Sequence, residues 1–459
     1  MSRGKSLALA ALLSLTSLCS AQAWVTSGDQ AKLLAREPLQ AFGATAKPLS
    51  VNIDVDASQR YQTMAGFGAA ISDASAWLIQ HKLKPAARQA LLQELFGRSE
   101  GGVGFSFTRL TIGASDYSLK HYSLAPTSLD DFSINENRAE LLPVVKEALA
   151  INPALTIMAS PWSAPAWMKT SGSLIKGSLR PDVHAAFAAY LLRYVDAYAA
   201  EGVPIALLSV QNEPHFEPED YPGMRMNPSQ RAAFIAQTLG PRLAQRGSKP
   251  QLIEWDHNWD GADAALAVLA DPQANRHVAG VGWHCYGGYV DAQSVVHAAH
   301  PDKDTWFTEC SGGAWAPHWS LNLNWLARNV LIGTTRHWAR GVLMWNLALD
   351  ESHGPHLGGC QDCRGVVTID SQSGAVTRNV EYYVLAHASR FVRPGARRIE
   401  STATAGLLDT VAFRNEDDGS RVLIVCNSSA KAQTFSVREQ GQVLHHTAPA
   451  KSLATLVWR

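Results

Sequence analysis

The sequence predicts an α/β fold, a (β/α)8 TIM barrel, carrying a small all-β side domain assembled from the N- and C-terminal segments. Two observations lead there. From about residue 61 to residue 390, short apolar, β-rich runs alternate with longer amphipathic stretches. On both flanks of that region the amphipathic stretches vanish and apolar residues alternate with polar ones. A doubly wound open sheet would also alternate, but it needs a glycine-rich phosphate turn after an early strand, and none occurs.

The candidate strands, in order, are Thr63–Ala69, Phe105–Thr111, Leu155–Pro161, Ile205–Gln211, Gln251–Trp255, Gly280–Tyr286, Thr305–Cys310 and Gly341–Leu347. Helical patterns lie between them. Ser72 to Phe96 reads as one helix, with Asp73 at its start and Gly97 past its end. Pro181 to Ala200, Pro228 to Arg246 and Leu321 to Arg336 read likewise. Such regular alternation over this length argues for a closed barrel. Residues 47–60 read as a single strand through Val51, Ile53 and Val55, expected to pair with the β-only segment 391–459. Residues 24–46 are left as an N-terminal segment.

Residues 1–23 read as a secretory leader. Arg3 and Lys5 precede the apolar run Leu7 to Leu18, and the small-residue motif Ala21-Gln22-Ala23 follows. The run is shorter than the ~20 residues of a membrane span, so no stable membrane insertion is expected and the protein is placed in the periplasm or outside the cell. Lys plus Arg and Asp plus Glu number 40 each, a formal net charge of zero, which offers no basic stripe for nucleic acid.

Beyond Cys19 the cysteines are Cys285, Cys310, Cys360, Cys363 and Cys426. In an oxidising compartment Cys360 and Cys363 can close a local disulfide. With His353 and His356 they also have zinc-like spacing. The disulfide is the expectation, with no metal and no cofactor. An odd total leaves at least one thiol without an intramolecular partner.

Barrel enzymes place their chemistry at the C-terminal ends of the strands. The second strand leads from Arg109 to Asp116. The third ends in Ser160-Pro-Trp-Ser163, the fourth in Gln211-Asn-Glu-Pro214 and the fifth in Trp255-Asp-His-Asn-Trp259. The sixth ends in His284-Cys-Tyr286, the seventh in Thr308-Glu-Cys310 and the eighth in Trp345-Asn346. No strand end offers a serine-histidine elbow, and no H-E-x-x-H or phosphate-loop motif occurs, which removes support for an esterase, a zinc peptidase or a nucleotide hydrolase. Carboxylates, amides and aromatics remain, and these suit sugars. Carboxylates can protonate or attack a glycoside, and aromatic faces can pack on a pyranose ring. Glu213 and Glu309 each end a buried apolar run, so neither reads as an ordinary surface glutamate.

These residues resemble the retaining glycosidases built on (β/α)8 barrels, and more closely glycoside hydrolase family 30, which includes glucosylceramidases and endo-β-1,6-glucanases. Phe67-Gly-Ala-Ala-Ile-Ser-Asp73, Ala159 to Met168, Asp256-His-Asn-Trp259 and Trp345-Asn-Leu-Ala-Leu349 carry the resemblance across about residues 50–459. It implies Glu213 as acid/base and Glu309 as nucleophile. It also implies a pocket for the terminal glucosyl unit made by Arg109, Asp116, Trp162, Asn212, His284, Tyr286 and Trp345. Glu213 must then hold a proton, which burial and the charge of Glu309 favour, and Glu309 must stay ionised, which Arg109 and Tyr286 favour.

The loop Glu213 to Met224, together with His284-Cys-Tyr-Gly-Gly288, Thr308-Glu-Cys-Ser-Gly312 and Gly358-Gly-Cys-Gln-Asp-Cys-Arg364, resembles the endo-β-1,6-glucanase subgroup. The expected substrate is a β-glucan. A glucosylceramidase or exo-acting β-glucosidase is the alternative. A non-catalytic carbohydrate binder is more distant, since it would not need both glutamates.

Overall fold

A computed structural model describes residues 20–99, 101–247 and 249–459. Eight parallel strands form the barrel: β1 (Gly66–Ala70), β2 (Phe107–Ile112), β3 (Thr156–Pro161), β4 (Leu207–Ser209), β5 (Gln251–Asn258), β6 (Val278–His284), β7 (Asp304–Glu309) and β8 (Ala339–Asn346). From β2 to β8 each strand pairs with the next in chain order, and β8 pairs with β1. The last seam, between β1 and β2, is closed by backbone bonds from Ser106 to Phe67 and from Ile71 to Arg109, each 3.1 Å. Gly68 makes this seam possible, because a Cβ there would lie 2.1 Å from the Phe107 carbonyl oxygen.

Every barrel strand overlaps one read from the sequence. Their apolar character follows from burial on both faces, inward on the barrel and outward under the helices. Phe107, Met158, Leu207, Ile253, Trp306 and Leu343 fill the interior, so the barrel is a packed core and not a channel.

Two helical expectations need correction. The stretch 72–96 is two helices, Asp73–His81 and Pro85–Phe96. Pro85 has no N–H to continue the first helix and biases Lys84 to its observed extended backbone. The helices read at 228–246 and 321–336 each contain a wide π segment, Ile235–Leu239 and Leu326–Gly333. In the first, the widened turn precedes Pro241, which again cannot donate.

The side domain draws on both chain ends. The long strand Asn52–Thr63 pairs antiparallel with Arg397–Ser401 and, at its start, parallel with Gln433–Glu439. The domain also takes residues the sequence reading left outside it. Ser20–Thr26 pairs with the C-terminal strand Ser452–Trp458 and buries Ala21 and Ala23. The leader expected over 1–23 therefore falls partly on residues 1–19, outside the described residues, and partly on this strand. A separate apolar cluster including Ile53, Ile399, Leu423, Phe435 and Leu456 forms the domain core.

The two units are joined closely. His387, on the helix Val380–Ser389, is buried between Thr455 Oγ1 at 2.8 Å and Thr26 Oγ1 at 2.9 Å. Among the described residues, no helix is long and apolar enough to cross a membrane.

Candidate active site

The C-terminal ends of β5, β6 and β7 are brought level by irregular register. Between β6 and β7 the pairing slips after Trp283, which sets His284 opposite Glu309 and leaves Thr308 unmatched. Between β5 and β6 a second slip sets His284 beside Asn258. Glu213, Trp255 and Asp256 all take left-handed backbone (φ 47°, 69° and 56°). None is glycine, and each such conformation costs roughly 1–3 kcal/mol, so the surrounding structure must impose it. A backbone bond from Glu213 N–H to the Asp256 carbonyl (3.1 Å) ties two of these strained residues together.

The slips and the strain aim side chains at one cavity of about 330 Å³. Its lining includes Asp116, Trp162, Asn212, Glu213, Tyr286, Glu309 and Trp345, all expected from the sequence. Trp162 and Trp345 stack face to face, with centroids 4.8 Å apart, as an aromatic wall. Phe216, Tyr221, His257, Asn258, Ser311 and Trp315 also line it and had been given no role.

Arg109 and His284 are corrections to the expected pocket. Both are fully buried and absent from the cavity lining, so they lie behind the wall. Arg109 donates to Glu309 Oε2 (2.5 Å), Asn212 Oδ1 (2.8 Å) and Asp256 Oδ2 (2.7 Å). Its guanidinium also sits 4.7 Å from the Trp162 ring centroid. His284 reaches Glu213 through Nδ1 (3.1 Å) and Asp256 through Nε2 (3.2 Å).

Asp256 is therefore the hub between the two glutamates, a role the sequence reading missed. It also accepts from Thr308 Oγ1 (2.7 Å) and from Ser160 Oγ. The Asp256-His-Asn-Trp259 segment was visible in the sequence, but nothing there paired Asp256 with Arg109.

The charges follow from these contacts. Burial opposes ionisation of Asp256, but Arg109, His284 and Ser160 outweigh it and hold the carboxylate far below its usual range. Burial also opposes a charge on His284. The carboxylates of Glu309, Asp256 and Glu213 overcome that and push its pKa up to about 9. Asp116 is pushed well above the usual carboxylate range by burial and by the charges of Glu309 and Glu213.

The resting glutamates reverse the simple expectation. At Glu213 burial is outweighed by His257 and His284, and its pKa is lowered. Burial raises that of Glu309, against His284 and Arg109. The contact from His284 was not anticipated for Glu213, where a buried imidazolium stabilises the carboxylate it touches, whereas at Glu309 burial outweighs it. Tyr286 donates to Glu309 Oε1 at 2.9 Å.

Glu213, His257 and His284 offer ligand atoms within 4.8 Å of one another. Both His284 nitrogens are engaged by carboxylates, an arrangement that holds a proton between oxygens.

Two disulfides frame the cavity. Cys285–Cys310 links the residue between His284 and Tyr286 to the residue after Glu309, a pairing not anticipated from the sequence. Cys360–Cys363 closes a loop on the cavity lining. With both thiols in the disulfide, His353 and His356 turn instead to the backbone carbonyls of Cys363 and Gly358. Cys426 is free and buried.

A family model described as the glycosyl hydrolase family 30 TIM-barrel domain matches residues 64–392, and one described as the family's beta sandwich domain matches residues 395–456. The chain belongs to glycosyl hydrolase family 30. As a family 30 protein it is a glycoside hydrolase, and its substrate is a glycan. An endo-1,6-beta-D-glucanase of Neurospora crassa is 33% identical over 82% of this chain and 81% of its own length. The lysosomal acid glucosylceramidase of Mus musculus is 28% identical over 87% of this chain and 82% of its own. Among solved structures, an endo-beta1,6-glucanase superposes with a TM-score of 0.89 at 32% identity, covering 96% of this chain and 99% of that one.

Proposed function

We propose that this family 30 member is a secreted, retaining endo-β-1,6-glucanase in which Glu309 is the nucleophile and Glu213 the acid/base. The observation that carries the catalytic reading is the bridged pair. Two glutamates end facing barrel strands in one cavity, and Arg109, Asp256 and His284 connect them without entering it.

In this reading Glu309 Oε attacks the anomeric carbon while Glu213 protonates the departing glycosidic oxygen. His284 serves as the proton reservoir. Its Nδ1 proton moves to Glu213 as the leaving oxygen develops charge, and the neutral imidazole stays bonded to Asp256 through Nε2. Water then enters, Glu213 takes its proton and passes it back to His284 Nδ1, and the hydroxyl oxygen displaces Glu309 from the anomeric carbon. Asn212, held by Arg109, is placed to bond the sugar 2-hydroxyl, a contact that strengthens in the transition state. The stacked Trp162–Trp345 wall supports the apolar face of the ring.

The β-1,6-glucan specificity is supported by the full-length similarity to endo-1,6-glucanases. Glucosylceramidase is the second reading, favoured by the 28% identity to the mouse enzyme. Digesting β-1,6-glucan, β-1,3-glucan and glucosylceramide in parallel, with products sized over time, decides between them. Mixed oligosaccharides appearing early from β-1,6-glucan are expected. Glucose alone from the first time point would remove the endo assignment, and glucosylceramide cleavage without glucan cleavage would favour the second reading.

Secretion is supported by the charged and apolar start of the chain. Cutting after Ala23 would remove over half of the Ser20–Thr26 strand with its two buried alanines, so the cut is placed ahead of Ser20. N-terminal sequencing of exported protein checks this, and a start at Trp24 would contradict it.

A further inference from the structure

One buried ammonium group takes no part in the reaction above. Lys169 lies on the loop after β3 and is 2% exposed. Its Nζ donates to three neutral oxygens: Ser163 Oγ (2.8 Å), the Leu174 carbonyl (2.7 Å) and the Gly223 carbonyl (2.6 Å). We propose that Lys169 is a positioning residue which, as an ammonium ion, clamps the loop after β4 to the loop after β3 and so fixes the wall of the glucosyl pocket; the proposal rests on the assignment of the cavity to a reacting glucosyl unit and extends it.

The clamp joins the two loops where they already meet. The Leu174 carbonyl accepts a second time, from Gly223 N–H at 3.1 Å, and Arg225 N–H bonds the Gly177 carbonyl at 2.9 Å. The base of the loop after β4 is closed by Met226 N–H to the Pro214 carbonyl (2.8 Å). Between that base and Gly223 lie Phe216 and Tyr221, both on the cavity lining. Tyr221 packs on the apolar cluster that holds Trp162 and Trp345. The Gly223 carbonyl is two residues from Tyr221, and Ser163 directly follows Trp162. The three bonds of Lys169 therefore tie down the chain on both sides of the contact between Tyr221 and the aromatic wall.

Only the charged form can make all three bonds. Carbonyl oxygens accept and cannot donate, and the Ser163 hydroxyl gives its own hydrogen to the Ala164 carbonyl at 2.9 Å. A neutral amine has two N–H groups, so deprotonation leaves one buried oxygen unmet. Methionine would fill the same space without the desolvation cost of an ammonium ion, but could hold none of the three oxygens. Burial pulls the Lys169 pKa down to about 7. Of the charged groups on the two loops, Glu217 acts on it and favours the charge, while also accepting from Gly177 N–H at 2.9 Å. The clamp is thus complete below about pH 7 and loses a bond above it, in a range where an exposed lysine stays charged.

The test uses the full chain and its Lys169→Met variant, on whichever of β-1,6-glucan and glucosylceramide the wild type cleaves, since both present a glucosyl unit to the pocket. At pH 6, Lys169→Met is expected to raise KM about tenfold with kcat within about threefold, because the bridge between Glu213 and Glu309 does not pass through Lys169. Wild-type KM should rise about fivefold from pH 6 to pH 8, and in Lys169→Met it should be high and flat over that range. A fall in kcat with KM unchanged would mark Lys169 as structural alone and overturn the proposal, as would a wild-type KM that is flat from pH 6 to pH 8. If Lys169→Met does not fold, the wild-type profile decides. Cleavage of neither substrate by the wild type would refute the function reading, and amide hydrogen exchange then decides for Lys169 separately. Faster exchange at Gly223, Arg225 and Met226 in Lys169→Met supports the clamp, and unchanged exchange there would overturn it.

Discussion

Asp256 shows how one side chain can govern two others it does not touch. It fixes Arg109 on the Glu309 side and His284 on the Glu213 side. Asp256→Asn should therefore lower kcat about a hundredfold while leaving KM nearly unchanged, since the carboxamide supports neither charge well. A loss seen only in KM would show that Asp256 acts in binding instead. His284 carries a pH signature. Its folded pKa of about 9 lies above the ordinary histidine value, so the stability it contributes is full below about 6.5 and is lost as pH rises through about 9. Activity should fall over the same alkaline range if His284 supplies the proton. Melting temperature and kcat recorded from pH 6.5 to 10 should decline together, and His284→Gln should flatten the melting curve. An identical alkaline limb in that variant would exclude His284 as the reservoir. The two glutamates were legible in the sequence because each ends an apolar run. Arg109 and Asp256 were not legible as a pair, being 147 residues apart with no local pattern to join them.

The elements that hold the site are the three strand ends and the disulfide across two of them. Cys285 and Cys310 lie 25 residues apart, and each adjoins a working side chain. Crosslinking a loop of that length should stabilise the fold by roughly 3 kcal/mol. Replacing both cysteines by serine should lower the denaturation midpoint accordingly. It should also reduce kcat, because Tyr286 and Glu309 lose their common anchor. An unchanged midpoint would show that packing alone sets the strand ends. The eight strands could be read from the chain because burial on both faces writes continuous apolar runs. The register slips between β5, β6 and β7 could not, since slippage depends on the partner strand and leaves no trace in either sequence alone. The same limit hid the Cys285–Cys310 pairing. The break at Pro85 was visible and outweighed by the long apolar periodicity around it.

Over the whole molecule, the barrel and the side domain behave as a unit held partly by a buried neutral histidine. His387 sits between Thr455 and Thr26, and burial pushes its pKa down to about 3. Its contribution to stability is full above the ordinary value near 6.5 and is lost as pH falls toward 3, because the unfolded chain takes up a proton the folded one refuses. Acid melting from pH 6.5 to 4 should be less steep in His387→Gln than in the wild type, and equal slopes would remove His387 from the account. The pairing of the chain's two ends could be anticipated from the β-only flanks. The inclusion of Ser20–Thr26 could not, because Ala21-Gln22-Ala23 also has the form of a leader's cleavage motif. The chemistry proposed for the cavity is a double displacement at Glu309 with Glu213 as acid/base. Its most direct test is proton NMR of the first-formed product, taken before mutarotation. The β-anomer is expected. An α-anomer as the first product would contradict it.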